Sequence, residues 1–162
     1  MPIVRDPGAA DERAWRRLWS GYIAFYGSEI SEVVTAATWR RMLDSTSPIF
    51  GRLVIVDSVV VGFSVSVLHD GTWTTAPVCY LEDLFVDPPY RDRGCGRLLI
   101  QDLVDRARSH GWSRLYWHTR SDNPARRLYD EFVSADDFVR YRMIFESKKM
   151  HGVDNRRLFD TI

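Results

Sequence analysis

Residues 80–100, Tyr80-Leu81-Glu82-Asp83-Leu84-Phe85-Val86-Asp87-Pro88-Pro89-Tyr90-Arg91-Asp92-Arg93-Gly94-Cys95-Gly96-Arg97-Leu98-Leu99-Ile100, read as a strand, a Pro-closed turn and a loop running into an amphipathic helix. The loop has the pattern Arg91-x-x-Gly94-x-Gly96, and its glycines remove side chains where the helix begins. The first-turn N–H groups are left bare, with the positive end of the helix dipole behind them. Such a place holds a pyrophosphate. Arg91, Arg93 and Arg97 add cationic side chains around the loop, and Cys95 presents only its backbone. A glycine-rich strand-to-helix turn with no ligand is the competing reading. Two other phosphate loops do not fit. A mononucleotide loop needs Gly-Lys-Ser/Thr where this chain has Gly96-Arg97-Leu98, and a dinucleotide loop needs a third glycine where Leu99 stands.

Upstream of the loop, Ile3-Val4-Arg5 reads as a short strand stopped by Asp6-Pro7-Gly8. From Asp11 to Tyr26 a stripe of Ala14, Trp15, Leu18, Trp19, Tyr22, Ile23 and Tyr26 predicts a helix, ended by Gly27-Ser28. Ser28–Val34 reads as a loop. Thr35 then caps a second helix running to about Leu43, with Trp39 and Leu43 inward. Phe50–Asp57 and Val59–His69 are β-branched runs joined by a turn at Asp57-Ser58, with Gly62 marking a weak point or bulge. Val78–Val86 is the next strand. Gly96–His110 is a helix closed by Gly111, Leu115–Thr119 a short buried strand, Asn123–Glu131 a short helix, and Phe138–Phe145 a final strand. Trp73, Trp112 and Trp117 are read as packing residues. Three consecutive strands make an antiparallel meander, and the strand–helix–strand unit adds one right-handed parallel crossover. The expected fold class is therefore mixed α/β, a mostly antiparallel sheet with helices on both faces.

The 162 residues suit one domain, placed at 1–146, with 147–162 as a polar tail or partner-binding arm. A formal charge of zero argues against a nucleic-acid binder, which would carry a basic excess. No long apolar run and no leader-like start is evident, so no membrane partner and a cytoplasmic location are expected. Cys79 and Cys95 have no metal-ligand spacing and are expected as reduced thiols. His69, His110, His118 and His151 are scattered, so no metal is expected.

A second block, Tyr116-Trp117-His118-Thr119-Arg120-Ser121-Asp122-Asn123-Pro124-Ala125-Arg126-Arg127-Leu128-Tyr129, follows the loop in chain order. Leu-Glu-Asp-Leu-Phe-Val, Arg-x-x-Gly-x-Gly and Ala-x-x-Leu-Tyr on these elements resemble the GCN5-related N-acetyltransferase (GNAT) family, from Ile3 to about Phe145. The likeness reaches spermidine/spermine and histone/protein N-acetyltransferase-like members. The family's asparagine position is taken by Asp122, with Asn123 one place later.

The resemblance implies acetyl-CoA as co-substrate and a sheet whose strands at Glu82–Val86 and Leu115–Thr119 splay apart. The pantetheine arm would pair with backbone near Leu84 and Val86, and an N–H of Leu84 or Phe85 would stabilise the oxyanion. The pyrophosphate would lie on Asp92–Arg97, with Asn123 and Arg126 also among the cofactor contacts.

In direct attack by an amine, Tyr129 is the candidate acid for the departing thiolate. Glu82 is the candidate base, acting through water. Plain alternation would set Glu82, Leu84 and Val86 on one face, where burial among Leu81, Leu84 and Tyr80 would raise the Glu82 pKa. Tyr26, Glu29 and Glu32 are the candidate acceptor contacts, and carboxylates at a pocket rim would favour a cationic acceptor. Two classes stay open at this point: an amine acetyltransferase, and a catalytically silent acyl-CoA sensor on the same fold. A homodimer with the last strand near its interface is expected.

Overall fold

A computed structural model of the chain describes residues 1–145, so the tail expected at 147–162 lies outside the described residues. One sheet holds β1 (Ile3–Arg5), β2 (Ile49–Val56), β3 (Val59–His69), β4 (Val78–Val86) and β5 (Arg114–Trp117), in that spatial order. The first four strands pair antiparallel, and β4 pairs parallel with β5 across the crossover helix α3 (Cys95–His110). The other helices are α1 (Glu12–Phe25), α2 (Glu32–Leu43) and the single turn α4 (Arg126–Tyr129).

The aromatic stripe of α1 is the reason the sheet is covered on that side. Trp15, Leu18 and Trp19 are buried with Trp39 and Met42 of α2 against Leu53, Phe63, Val65 and Phe85. Trp15 stacks on Trp19 with ring centroids 5.2 Å apart. Burial of each such side chain stabilises the fold by about 1.5–3 kcal/mol. On the opposite face α3 lays Cys95 and Leu99 onto Val54, Val61 and Val86. The buried Arg52 of β2 fastens α3 to the sheet through Asp102, with Nη2 2.7 Å from the carboxylate. Asp57 and Ser58 close the β2–β3 hairpin at φ 47° and 66°, the left-handed pair whose twist matches the strands.

Several expectations are corrected. The cap of α2 is Ser31, whose hydroxyl accepts from the Val34 N–H, and Thr35 lies buried one turn inside, accepting from Trp19 Nε1 at 3.1 Å. The loop before α2 is therefore shorter than Ser28–Val34. Met42, rather than Leu43, points inward. Trp73 is 93% exposed and packs nothing away from water. β5 stops at Trp117, before Thr119, and α4 spans one turn rather than Asn123–Glu131.

The expected last strand, Phe138–Phe145, forms no ladder. Its Phe138, Val139, Tyr141, Met143, Ile144 and Phe145 are exposed. Alternating apolar residues make a strand only where a sheet edge receives them, and here the segment is paired with none among the described residues.

Two bulges shape the part of the sheet that matters. Val54 pairs with Gly62 and Ile55 with Val60, leaving Val61 as the extra residue in β3. A Cβ on Gly62 would lie 2.7 Å from the Phe85 carbonyl oxygen, so only glycine lets β3 approach β4 here. In β4, Val65 pairs with Asp83 and Ser66 with Leu81, which leaves Glu82 unpaired against β3. A bulge changes which face each later residue presents.

Candidate active site

β4 and β5 are paired only as far as Leu81 and Trp117. β4 then continues for five more residues alongside β3, so its other edge opens into a gap. Which backbone groups face that gap follows from ladder alternation. Asp87 N–H donates to the Val61 carbonyl at 2.8 Å, just beyond the Gly62–Val86 pair. Bonded and non-bonded pairs alternate in an antiparallel ladder. Phe85 therefore spends its groups on Phe63, while the N–H and C=O of Leu84 and Val86 turn away from β3. Arg91 confirms the direction for Val86, donating Nε to its carbonyl at 3.0 Å. Of the two N–H groups expected near the thioester, Leu84 has the one that faces the gap.

Glu82 stands one residue past the last β4–β5 pair, exposed at the fork. Past the bulge, alternation holds from Asp83 to Val86. Leu84 and Val86 pack on the α3 side, whereas Phe85 packs on the α1 side. The desolvation expected for Glu82 falls on its neighbour instead. Asp83 is pushed up to about 6 by burial, with the Tyr22 hydroxyl holding it down and the Glu82 charge adding to the rise. Burial also raises the Tyr22 phenol, next to that carboxylate. Asp83 was legible as a carboxylate in sequence, but its contact with Tyr22 across the α1 interface was not.

Tyr129 ends α4 with its ring edge against Trp117, centroids 5.6 Å apart. Burial pushes its phenol up to about 12, and Tyr26 at the end of α1 adds to the shift. Tyr26 in turn meets Tyr22 edge-on at 5.1 Å and lies under the Arg120 guanidinium at 5.5 Å. Tyr26 thus joins the site. The two glutamates expected beside it part company. Glu32 belongs to the first turn of α2 and binds Arg16 at 2.9 Å, while Glu29 is exposed on the connecting loop. Arg120 was not singled out in the sequence, because its position over Tyr26 requires α1 and the β5 exit to meet.

The loop before α3 has the bare geometry its glycines suggest. Gly94 caps the helix at φ 79° with no side-chain bond, and space around its Cβ direction is open. Leu98 N–H is the first to reach back, to Gly94 O at 3.0 Å. Cys95, Gly96 and Arg97 N–H groups precede it and have no helical acceptor. Asp92 is also left-handed, at φ 58°.

The side chains differ from a uniform ring of cations. Arg91 lies over Phe25 and Phe85 at 5.8 and 5.5 Å, Arg93 over Tyr90 at 5.6 Å, and Arg97 pairs with Glu131. Cys95 does more than present backbone, since its side chain is buried against the sheet. A Cβ on Gly96 would come within 3.0 Å of Leu128, so this glycine also lets α4 approach α3. Asn123 accepts from Ala125 N–H at 3.0 Å and donates to Thr119 at 2.8 Å, which shapes the turn into α4, and Arg126 donates to Ser121 O.

A half-open pocket of about 210 Å³ lies between α1 and the end of β4, with Phe25, Phe85, Asp87 and Arg91 in its wall. Neither Glu82 nor Tyr129 lines it. Among the described residues no group of His, Cys, Asp and Glu is placed to hold a metal ion, and no helix is long and apolar enough to cross a membrane.

Comparison with known proteins adds to this geometry. A family model described as Acetyltransferase (GNAT) family matches residues 12–132. The D-amino-acid N-acetyltransferase HPA3 of Saccharomyces cerevisiae is 32% identical over 143 residues, covering 86% of this chain and 89% of the relative. A ribosomal-protein-alanine N-acetyltransferase from Brucella melitensis superposes with a TM-score of 0.75 at 20% identity, over 90% of this chain and 99% of that one. AAC(6')-Iy, solved with a bisubstrate analog built on CoA, superposes at 0.72 and 20% identity, over 92% and 99%. At such identities the solved structures establish the fold alone.

Proposed function

From the premise that the chain belongs to the GNAT family and is an N-acetyltransferase, we propose that it moves acetyl from acetyl-CoA to the primary amine of a small amino compound, with Tyr129 and Glu82 in the chemistry. The observation carrying this reading is the opening of the sheet past Leu81 and Trp117, with Leu84 backbone groups facing the gap, Glu82 on one lip and Tyr129 near the other. The open Gly94 corner and the unpaired N–H groups of 95–97 suit a pyrophosphate, so the residues fit this co-substrate.

When bound, acetyl-CoA supplies a thioester whose carbonyl carbon is the electrophile. Leu84 N–H is the donor aimed where charge develops on the carbonyl oxygen. Glu82, wet and exposed, takes the ammonium proton through water, which frees the lone pair for attack. Tyr129 keeps its proton across the working pH range and donates it toward the sulfur as the carbon–sulfur bond breaks. The D-amino acid in the yeast relative's name falls within this acceptor class. Release of free thiol from acetyl-CoA with a panel of polyamines, amino acids and lysine peptides is the test. Turnover with one or more small amines is the expected result; CoA binding with no turnover on any amine would favour a silent acyl-CoA sensor.

The transferase domain is taken as residues 1–146. Cys79 and Cys95 are free thiols, in keeping with a reducing compartment, and the cytoplasm is the proposed location. A homodimer is proposed through 138–145, whose exposed apolar residues need cover that the bare outer edge of β5 could supply in a second copy. Light scattering is expected to report twice the chain mass. A monomer at all concentrations would remove the dimer.

A further inference from the structure

We propose that Arg120 is a specificity-determining residue that binds a carboxylate on the acceptor, so that the preferred acceptor carries its amine one carbon from a carboxylate. This rests on the acetyl-transfer reading above and names the substrate class within it. The first ground is position. Arg120 lies three residues beyond Trp117, the last residue of β5 paired with β4, and Glu82 lies one residue beyond its partner Leu81. By chain position, Arg120 follows the β5 side of the fork and Glu82 the β4 side.

The second ground is contact. The Arg120 guanidinium rests 5.5 Å over the Tyr26 ring, which meets Tyr22 edge-on at 5.1 Å, and Tyr26 helps hold the Tyr129 phenol up. A cation–π contact orients the planar group while leaving its N–H edge available, and that edge matches a carboxylate bidentately. Only an anchor next to the reacting centre can serve an α-amino acid, because a single carbon separates its amine from its carboxylate.

The third ground is that several other arginines are already engaged. Arg17 binds Asp87 at 2.6 Å, Arg91 the Val86 carbonyl, Arg97 Glu131, and Arg126 the Ser121 carbonyl. Arg120 has no carboxylate partner among the described residues. Glu32, which would have favoured a purely cationic acceptor, is spent on Arg16.

The test compares phenylalanine with phenethylamine, and serine with ethanolamine, on wild type, Arg120→Ala and Arg120→Lys. Both enantiomers of each amino acid are used. Arg120→Ala is expected to raise KM for the amino acids about 10- to 100-fold, the worth of a lost charged hydrogen bond, with kcat little changed. KM for the matching amines should stay within about twofold, and Arg120→Lys should restore part of the loss. An equal effect on both members of a pair, or none on either, overturns the proposal. Calorimetry of phenylalanine with the CoA-loaded protein gives a readout independent of turnover. If wild type acetylates none of these compounds, the acetyl-transfer reading fails for them, while equal phenylalanine affinity in wild type and Arg120→Ala overturns the role of Arg120 by itself.

Discussion

Tyr129→Phe is expected to lower turnover about 100-fold at neutral pH with CoA affinity unchanged, within the range typical of a positioned proton donor. The ring stays, and with it the edge contact to Trp117. Only the hydroxyl is lost, so a fall in kcat without a fall in binding assigns the loss to the transition state. The sign of the pKa shift sharpens the test. Burial and the neighbouring Tyr26 push the phenol up to about 12, which favours the protonated form and keeps the donor loaded across any practical range. The wild-type rate should therefore show no loss below about pH 10 from Tyr129 ionisation, and the variant's pH profile should run parallel to it. Full turnover in Tyr129→Phe would return the residue to packing and leave the acid unassigned.

Glu82→Gln is expected to cost about 100-fold at pH 7, the lower part of the usual contribution of a general base. The deficit should shrink as pH approaches the pKa of the amine, where solvent takes the proton and the base is needed less. Asp83→Asn is the necessary comparison, because Asp83 is the half-buried carboxylate beside it. Its raised pKa of about 6 means that it is neutral below that pH and an anion above it. A variant whose deficit follows Asp83 rather than Glu82 would move the base by one residue. Stability separates the two roles further. The folded protein holds the Asp83 proton more tightly than the unfolded chain, so this group favours the fold in acid and that advantage is lost as pH rises through about 6. Asp83→Asn should raise the melting temperature more at pH 8 than at pH 5, whatever it does to turnover.

Much of this was legible in the chain because it depends on local pattern. Gly94 at φ 79° and Gly111 at φ 67° mark the two ends of α3, since a left-handed residue there favours glycine. The bounds of β3 and β4 follow from β-branched runs between turn residues, and the stripe of α1 follows from the 3.6-residue period. The same local signals placed the loop, the strand before it and the tyrosine after it in the order that the family's chemistry requires.

Other features depend on what each segment meets, and only the folded chain decided them. The unpaired Glu82 arises from the register between β3 and β4, a relation between two strands that neither strand encodes alone. Glu82, unpaired there, is exposed, while Asp83 beside it is half-buried against Tyr22. The cap of α2 moved from Thr35 to Ser31 because the indole of Trp19 claims the threonine hydroxyl across the interface. Phe138–Phe145 has the alternation of a strand but pairs with no strand among the described residues, so its pattern alone did not make one. Arg120 is an ordinary surface arginine by composition, and its place over Tyr26 exists only because the end of α1 and the exit of β5 converge. Short-range geometry and hydrophobic period were written in the residues; register, convergence and the state of each carboxylate came from packing between segments distant in the chain.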